Sequence, residues 1–136
     1  GTQFARFDLN AANDATDLDL IVYLLDASGT PIAGWQSASG AADERVDLIA
    51  PEAGNYLVLV SVFTANPATA FELTTGSVLS GGAALALAPS TLNGVQGQPV
   101  SYTASWSGLD AASTYLGLVR YGDTGAFTVV GVKTGS

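Results

Sequence analysis

Apolar residues recur at every second position along much of this chain, and that period limits the folds it can adopt. In the stretch VSYTASWSG, Val100, Tyr102, Ala104 and Trp106 alternate with serine and threonine. Such alternation is typical of an antiparallel strand with one dry face. Residues 20–25 and 56–63 are apolar at both odd and even positions, which predicts central strands covered on both faces.

Turn residues separate these segments at short intervals. The stretches DASGTP, APEAGNY, LNGVQGQP and YGDTG combine proline, glycine, asparagine and aspartate in the order that tight turns favour. Strand and turn signals at this spacing predict an all-β fold, either an antiparallel β-sandwich or a jelly roll.

The charge distribution divides the chain in two. Residues 1–79 have a net charge of −8, and residues 80–136 have a net charge of zero. The small residues of GSVLSGGAA, at 76–84, mark the boundary, so we expect one unit over 1–79 and a second over 82–136. The second is small for an independent sandwich, and we expect it to pack on the first.

The same charge bears on partners. A strongly negative surface repels nucleic acid and anionic lipid, because both are bound through clustered lysine and arginine. The longest apolar runs are too short to cross a bilayer as a helix. We therefore expect a soluble protein that binds neither nucleic acid nor membrane.

The chain has no histidine and no cysteine. Serine-histidine-aspartate and cysteine-histidine catalytic systems cannot be built from it, nor can zinc sites with nitrogen and sulfur ligands. Two carboxylates could still support glycoside hydrolysis, but their spacing does not suggest it. We predict no catalytic residue and no enzyme activity. Methionine is also absent, which predicts a mature fragment or an excised piece of a longer protein.

Two segments of the chain are similar to each other. AGNYLVLV at 53–60 and ASTYLGLV at 112–119 align without gaps, and each places a tyrosine at the start of a strand after a turn. A tyrosine there can pack its ring inward and direct its hydroxyl at the turn backbone, as in a tyrosine corner. We predict this role for Tyr56 and Tyr115. The similarity is either a true repeat or chance in a chain rich in alanine and leucine.

The first half resembles a known family. QFARFDL, DLDLIVYLLDASGTPIA, DERVDLIAPEAGNYLVLV and FELTT follow the pattern of the bacterial pre-peptidase C-terminal domain, a β-sandwich appended to secreted peptidases. Its recurring marks are found here at Asp17-Leu18-Asp19-Leu20 and at Pro51, Gly54, Tyr56, Val58 and Val60. The aromatic is displaced in Ile21-Val22-Tyr23, which leaves the inside-outside phase of that strand open.

The second half, GQPVSYTASWSGLDAASTYLGLVRYGD, resembles the fibronectin-III-like or immunoglobulin-like tail that follows this module in secreted subtilisin-like serine peptidases. Together the resemblances imply a jelly-roll-like sandwich with a smaller immunoglobulin-like unit. They imply a secreted, extracellular, non-catalytic accessory region, with the parent peptidase's catalytic domain as its partner. The expected roles are secretion, stability or substrate attachment. The alternative is a stand-alone adhesion module for protein or polysaccharide surfaces.

An acid cluster precedes one of the apolar segments. Asn13, Asp14, Asp17 and Asp19 provide four oxygen-bearing side chains within seven residues, and calcium prefers such ligands. Some relatives of the module bind calcium through acidic loops. We therefore treat Asp14, Asp17 and Asp19 as candidate calcium ligands. The other interpretation is a solvated loop whose side chains bond to local backbone. Asp43, Glu44 and Asp47 form a second acidic patch, for which we favour a solvated edge.

The tryptophans and arginines have simpler interpretations. Trp35 lies in a turn-flanked segment and is a better candidate for a surface binding residue than Trp106, although its burial is favoured at least equally. Trp106 shares the apolar face of its strand, so we expect it in the core. Arg6 and Arg120 are expected to pair with nearby carboxylates.

Overall fold

The computed structural model of the protein describes residues 1–64, 70–81 and 85–135. These residues form ten β-strands and no helix, and the predicted all-β class is confirmed. The strands are β1 (Thr2–Ala11), β2 (Asp17–Leu25), β3 (Pro31–Ser37), β4 (Glu44–Ile49), β5 (Asn55–Thr64), β6 (Phe71–Leu79), β7 (Leu85–Ala88), β8 (Thr103–Trp106), β9 (Thr114–Arg120) and β10 (Phe127–Lys133). A search of these described ranges finds no helix suited to crossing a membrane.

The chain divides into two compact units, which we call unit 1 (Gly1–Leu79) and unit 2 (Ser80–Ser136). Each strand pair within them is antiparallel, which is consistent with β-sandwich architecture. The jelly-roll wiring expected from the resemblance stays a prediction.

Unit 1 contains two three-stranded sheets, with strand orders β4-β1-β6 and β3-β2-β5. One cluster of buried side chains draws on both sheets, since β1 and β4 supply part of it, β2 supplies three residues and Ala42 comes from the β3–β4 connection. Its members are Leu9, Ala11, Leu18, Leu20, Val22, Ala42, Val46 and Leu48. Burial of aliphatic side chains at about 25 cal/mol per Å² is the main stabilisation available to such a unit.

The alternation of β2 is regular. Leu18, Leu20, Val22 and Leu24 are buried, while the intervening residues are half-buried on the opposite face. This settles the phase that the sequence left open, because Val22 faces the core and Tyr23 faces outward. We call the side of the β3-β2-β5 sheet that carries Tyr23 its outer face.

The strand β5 differs from its prediction. Its apolar residues at both parities indicated a central strand, but β5 lies at the edge of its sheet and pairs only with β2 among the described strands. Leu57 and Leu59, on the outer face, are 40% and 42% exposed. The prediction that both faces of β5 are covered is therefore wrong. Apolar content alone does not distinguish a covered strand from an exposed one.

The outer side of the other sheet bears paired charges. Arg6 on β1 lies opposite Asp47 on β4, and its guanidinium donates two hydrogen bonds to the carboxylate, at 2.8 and 2.7 Å. Two residues along, Arg45 donates to Asp8 at 3.0 and 2.8 Å. The predicted pairing of Arg6 with a carboxylate is confirmed. Both pairs are partly exposed, so each stabilises the fold by about 0–1 kcal/mol.

Unit 2 contains two two-stranded sheets, β7-β8 and β9-β10. The alternation read from VSYTASWSG is realised as a strand only over Thr103–Trp106. Trp106 is 47% exposed, so the expectation that it lies in the core is wrong. Its cross-strand partner is Leu85, at the end of a ladder only four residues long, and a strand this short offers little surface to cover an indole.

Both predicted tyrosine corners are confirmed. The Tyr56 hydroxyl donates to the Glu52 carbonyl oxygen at 2.7 Å, reaching back four residues into the preceding turn. The Tyr115 hydroxyl accepts from the Asp110 backbone N–H at 2.9 Å and donates to its carboxylate at 3.3 Å. The turn before β5 and the turn before β9 are therefore each held by a tyrosine.

We predict that Tyr56→Phe lowers the free energy of unfolding by about 1 kcal/mol at pH 7, because it removes one hydrogen bond. Burial, and next the charge of Glu52, raises the pKa of Tyr56. The stabilisation by the neutral phenol is therefore complete below the ordinary tyrosine pKa of about 10 and is lost as the pH rises through the higher folded value. Urea unfolding at pH 7 and above pH 10 measures both effects.

The control for this prediction is Tyr23→Phe. It removes a hydroxyl from the outer face, where the described residues give it no hydrogen-bond partner, and we expect a change within about 0.5 kcal/mol. Equal losses in the two variants would contradict the corner assignment.

Candidate functional site

The loop before β2 is closed by Asn13. Its side-chain oxygen accepts from the Ala15 backbone N–H at 3.0 Å, and its carbonyl accepts from the Thr16 N–H at 3.0 Å and from the Thr16 hydroxyl at 2.6 Å. Thr16 is buried. Asparagine bonding of this kind is a common way to order a turn before a strand.

The three candidate calcium ligands lie around this turn. Asp14 is in the turn itself, Asp17 is the first residue of β2, and Asp19 follows two positions later on the same side of the strand. Across residues 1–64, 70–81 and 85–135, no group of three or more acidic side chains is arranged to hold a metal ion. Calcium binding by Asp14, Asp17 and Asp19 stays a prediction that this geometry does not support.

Asp17 has an unusual environment. Its Oδ1 atom is buried, and the described part of the chain offers it no hydrogen-bond partner. A buried carboxylate oxygen without a donor is costly, and such atoms in folded proteins require an explanation.

The second acidic patch is part of the framework of unit 1, and it is not the solvated edge that its sequence suggested. Asp43 accepts from the Ala11 backbone N–H at 3.0 Å and from the Asn10 side chain at 3.3 Å. Asp47 pairs with Arg6. Glu44 is only 4% exposed.

Glu44 is held by Ser37, the last residue of β3, and by Ser39 in the β3–β4 connection. One carboxylate oxygen accepts from the Ser37 hydroxyl, and the other accepts from the backbone N–H and the hydroxyl of Ser39 at 2.8 and 2.6 Å. Burial raises the pKa of Glu44, but these hydrogen bonds outweigh it and the pKa lies below its ordinary value. Glu44 is therefore an ionised structural anchor, unsuited to act as a general acid near neutral pH.

An exposed apolar surface on the outer face lies across β2 and β5. We define the outer patch as Ile21 and Tyr23 of β2 with Leu59 and Leu57, their direct partners on β5. The Tyr23 ring lies over Gly34 of β3, where an added Cβ would meet ring carbons at 2.9 Å. Glycine at that position therefore leaves room for the Tyr23 ring against the backbone of β3.

Trp35 is not part of the outer patch. Its cross-strand partner Val22 faces the core, which places Trp35 on the core side of β3. Its ring centroid lies 6.3 Å from that of Tyr56, which in turn lies 6.4 Å from Phe7. The indole is 38% exposed at the border of this aromatic row, so it is partly available to a ligand and partly used in packing.

Unit 2 contains a pocket of about 300 Å³. Leu87, Pro89 and Leu92 form much of its apolar wall, and Tyr102 and Tyr121 contribute hydroxyl groups. The Tyr121 hydroxyl is hydrogen-bonded to Thr128 at 2.7 Å and to Tyr102 at 3.0 Å, and these two bonds lower the pKa of Tyr121. Such a pocket, with polar and apolar residues in its lining, can bind a small hydroxylated or amphipathic ligand.

The sequence offered no signal for the outer patch as a surface. In the sequence Tyr23 is only a displaced aromatic, and the apolar run that contains Leu57 and Leu59 predicts a covered strand. The glycine partner of Tyr23 is the one local clue, since a glycine inside a strand often marks close approach of another group. Comparison of the chain with models of known families, with curated proteins and with solved structures gave no match.

We predict that Glu44→Gln lowers the free energy of unfolding by about 1–3 kcal/mol at pH 7, because the amide replaces a charged acceptor of three hydrogen bonds. Since the pKa of Glu44 is depressed by folding, its stabilisation is present above the ordinary glutamate pKa of about 4.3 and is lost as the pH falls through the folded value. Denaturant unfolding from pH 7 down to that acid range should show the variant and the parent chain converging.

The matched control is Glu72→Gln, on an exposed position of β6, for which we expect a change within about 0.5 kcal/mol. A Glu44→Gln variant as stable as the parent chain at pH 7 would refute the anchor role.

Proposed function

We propose that this chain is a non-catalytic accessory region of a secreted bacterial serine peptidase of the subtilisin-like class. The sequence resemblance to a pre-peptidase C-terminal domain followed by an immunoglobulin-like tail suggests this role. The observation that favours it most is how the carboxylates of unit 1 are used. Each carboxylate of unit 1 whose hydrogen bonds are described either connects two segments or closes a turn.

The use of each of these carboxylates is structural. Asp8 and Asp47 take part in cross-strand ion pairs, and Asp43 and Glu44 accept hydrogen bonds from neighbouring segments. Asp26 accepts from the backbone N–H groups of Ser28 and Thr30, both at 2.8 Å, which closes the β2–β3 turn. Hydrogen bonds from Ser28 and next from Thr30 lower the pKa of Asp26. Groups engaged in this way stabilise a scaffold and do not transfer protons.

In this role the chain contributes surface and stability to its parent enzyme, and the bond chemistry takes place elsewhere. A stable β-rich unit attached to a secreted peptidase aids secretion, protects the enzyme, or holds it on a substrate. Tyrosine-held turns and paired charges suit an extracellular module that has no disulfides.

The second candidate is a stand-alone adhesion module for protein or polysaccharide surfaces. The outer patch favours it, because the Tyr23 ring packs against Gly34 on the same face as two exposed leucines. Aromatic and aliphatic side chains in this arrangement suit stacking on sugar rings or packing on apolar side chains.

The accessory proposal predicts that the gene encodes a subtilisin-like catalytic domain, with its aspartate, histidine and serine, upstream of Gly1. Sequencing that region of the parent gene is the check. The chain alone should show no turnover of ester, peptide or glycoside substrates. Turnover that purifies with the chain would refute the proposal, and an upstream array of further sandwich domains would favour adhesion.

The adhesion candidate predicts retention of the chain on insoluble collagen, chitin or cellulose through the outer patch. We expect the double variant Leu57→Ser, Leu59→Ser to lose most of the retention, because it removes apolar contact area. Val95→Ser, at an exposed valine of unit 2, is the matched control and should be retained like the parent chain. Pull-down followed by gel densitometry measures this. No retention on any of the three solids would exclude adhesion to these surfaces.

A further inference from the structure

The four edge strands of unit 1 are not equally protected. Natural proteins discourage pairing at sheet edges with proline, lysine or other charges. The edge strand β4 contains Glu44, Arg45 and Asp47, β6 contains Glu72, and β3 begins with Pro31. By contrast, β5 has the sequence NYLVLVSVFT, ten residues without a charge or a proline. Its one irregularity is a register shift near its end, opposite Asp17 and Leu18.

The backbone of β5 is available along one side. In antiparallel pairing, alternate residues direct their N–H and C=O groups at the partner strand, and the remaining residues direct theirs to the opposite side. Pairing with β2 runs the full length of β5, from Asn55 to Thr64. No described strand pairs with the other side of β5. About half of its backbone groups therefore face a free edge that is roughly 33 Å long.

Apolar side chains are exposed on both sides of this edge. On the outer face are Leu57 and Leu59 of the outer patch. Phe63, at the register shift near the end of the strand, is 75% exposed. On the core side, Val62 is exposed although its partner Leu18 is fully buried.

The neighbouring edge of the other sheet shows the same feature. Phe71 and Leu73 of β6 are exposed, although their partners on β1, Ala11 and Leu9, belong to the core. The described residues therefore leave the core partly uncovered along this side of unit 1. A strand added to β5 would place alternate side chains against both exposed sides.

The charges beside β5 indicate which strand would bind. Asp19 lies on the outer face and its partner on β5 is Ser61, a small residue that a long side chain from an added strand can cross. Asp17 lies on the same side of β2, and its buried Oδ1 has no donor among the described residues. Residues 1–79 have a net charge of −8. This field attracts a cationic segment and repels a second copy of the same unit.

We propose that the free edge of β5 binds an extended segment of a partner polypeptide by strand addition. The segment has apolar side chains and a lysine or arginine directed at Asp19 and Asp17. Backbone hydrogen bonds provide affinity, and the cation and the apolar residues provide selectivity. The proposal rests on unit 1 alone and does not depend on the assignment to a peptidase.

The probe is an acetylated, amidated octapeptide that alternates threonine and valine and has lysine in place of one outward-facing threonine. A second peptide has glutamate in place of that lysine. A third peptide keeps the lysine and has proline in place of a central valine. Binding to the 136-residue chain is measured by calorimetry in low salt with EDTA present, so that no divalent cation competes for the carboxylates and screening is weak. We expect the lysine peptide to bind about tenfold more tightly than the glutamate peptide, and the proline peptide to bind no better than the glutamate peptide.

Variants of the chain assign the contact. Asp19→Asn should reduce the preference for lysine over glutamate to about threefold or less, because it removes the nearer carboxylate. Glu72→Gln changes the net charge equally on the other sheet and should leave the preference unchanged. Ser61→Lys places a cation at the crossing point and should abolish binding of the lysine peptide, whereas Ser61→Glu should retain it. Hydrogen exchange should slow at β5 amides and not at β3 amides when the lysine peptide binds.

Each outcome decides the proposal. Equal binding of the lysine and glutamate peptides, no binding of any peptide, or an equal loss in Asp19→Asn and Glu72→Gln would overturn it. If Ser61→Lys does not fold, comparison of Asp19→Asn with Glu72→Gln still tests whether the preference for the lysine peptide depends on the carboxylate beside β5. Sedimentation velocity tests the competing occupant. A dimer that Ser61→Lys dissociates would overturn the proposal in favour of a second copy of the chain.

Discussion

The placement of the outer patch and of Asp17 and Asp19 depends on the register of one strand, β2. Its four core residues alternate strictly with outward-facing ones, and it pairs with β3 on one side and β5 on the other. A slip of one residue would move Asp19 and Tyr23 into the core and expose Leu20 and Val22, at the cost of several buried aliphatic side chains. Because the core fixes this register, it also fixes which side chains form the outer patch and which carboxylates lie beside β5.

The carboxylates show why a high negative charge does not unfold the unit. On the sheet β4-β1-β6, two acids alternate with two arginines in a small square of opposite charges, so each faces an attractive neighbour across the ladder. Glu44 is buried but receives three hydrogen bonds, which offset its desolvation. Asp17 lacks such compensation. The difference between these two acids identifies Asp17 as the place where the described contacts are incomplete.

The features that the sequence predicted are local ones. The tyrosine corners connect residues four or five positions apart, and the turn chemistry before each tyrosine is visible in the sequence. The all-β class follows from a period of two that needs no knowledge of partners. The pairing of Arg6 was expected because a charged residue inside an apolar strand requires a counter-charge, although the sequence did not identify Asp47 as its partner.

The features that the sequence did not predict depend on contacts between distant segments. Glu44 resembles any surface acid until Ser37 and Ser39 fold around it. The apolar strand β5 resembles a central strand, because side-chain hydrophobicity reports the cost of exposure and not whether a covering element is present. Trp106 follows an alternating pattern that is genuine, but a four-residue ladder cannot bury it. In each case the missing information is the segment that packs against the residue or strand. Neither the alternation of apolar residues nor the composition encodes it.

The exposed edge of β5 and the negative charge of unit 1 are best understood together. An uncharged apolar edge strand pairs readily with any exposed strand, including its own copy, and such edges promote aggregation. Here β5 has no protective charge of its own, but the acids of β2 lie one strand away, and the whole unit repels its copies. Because the repelling charges lie on a neighbouring strand, the backbone of β5 stays free to pair, whereas a proline within β5 would remove a backbone donor. The arrangement therefore discriminates between strands by charge, excluding acidic segments and admitting basic ones.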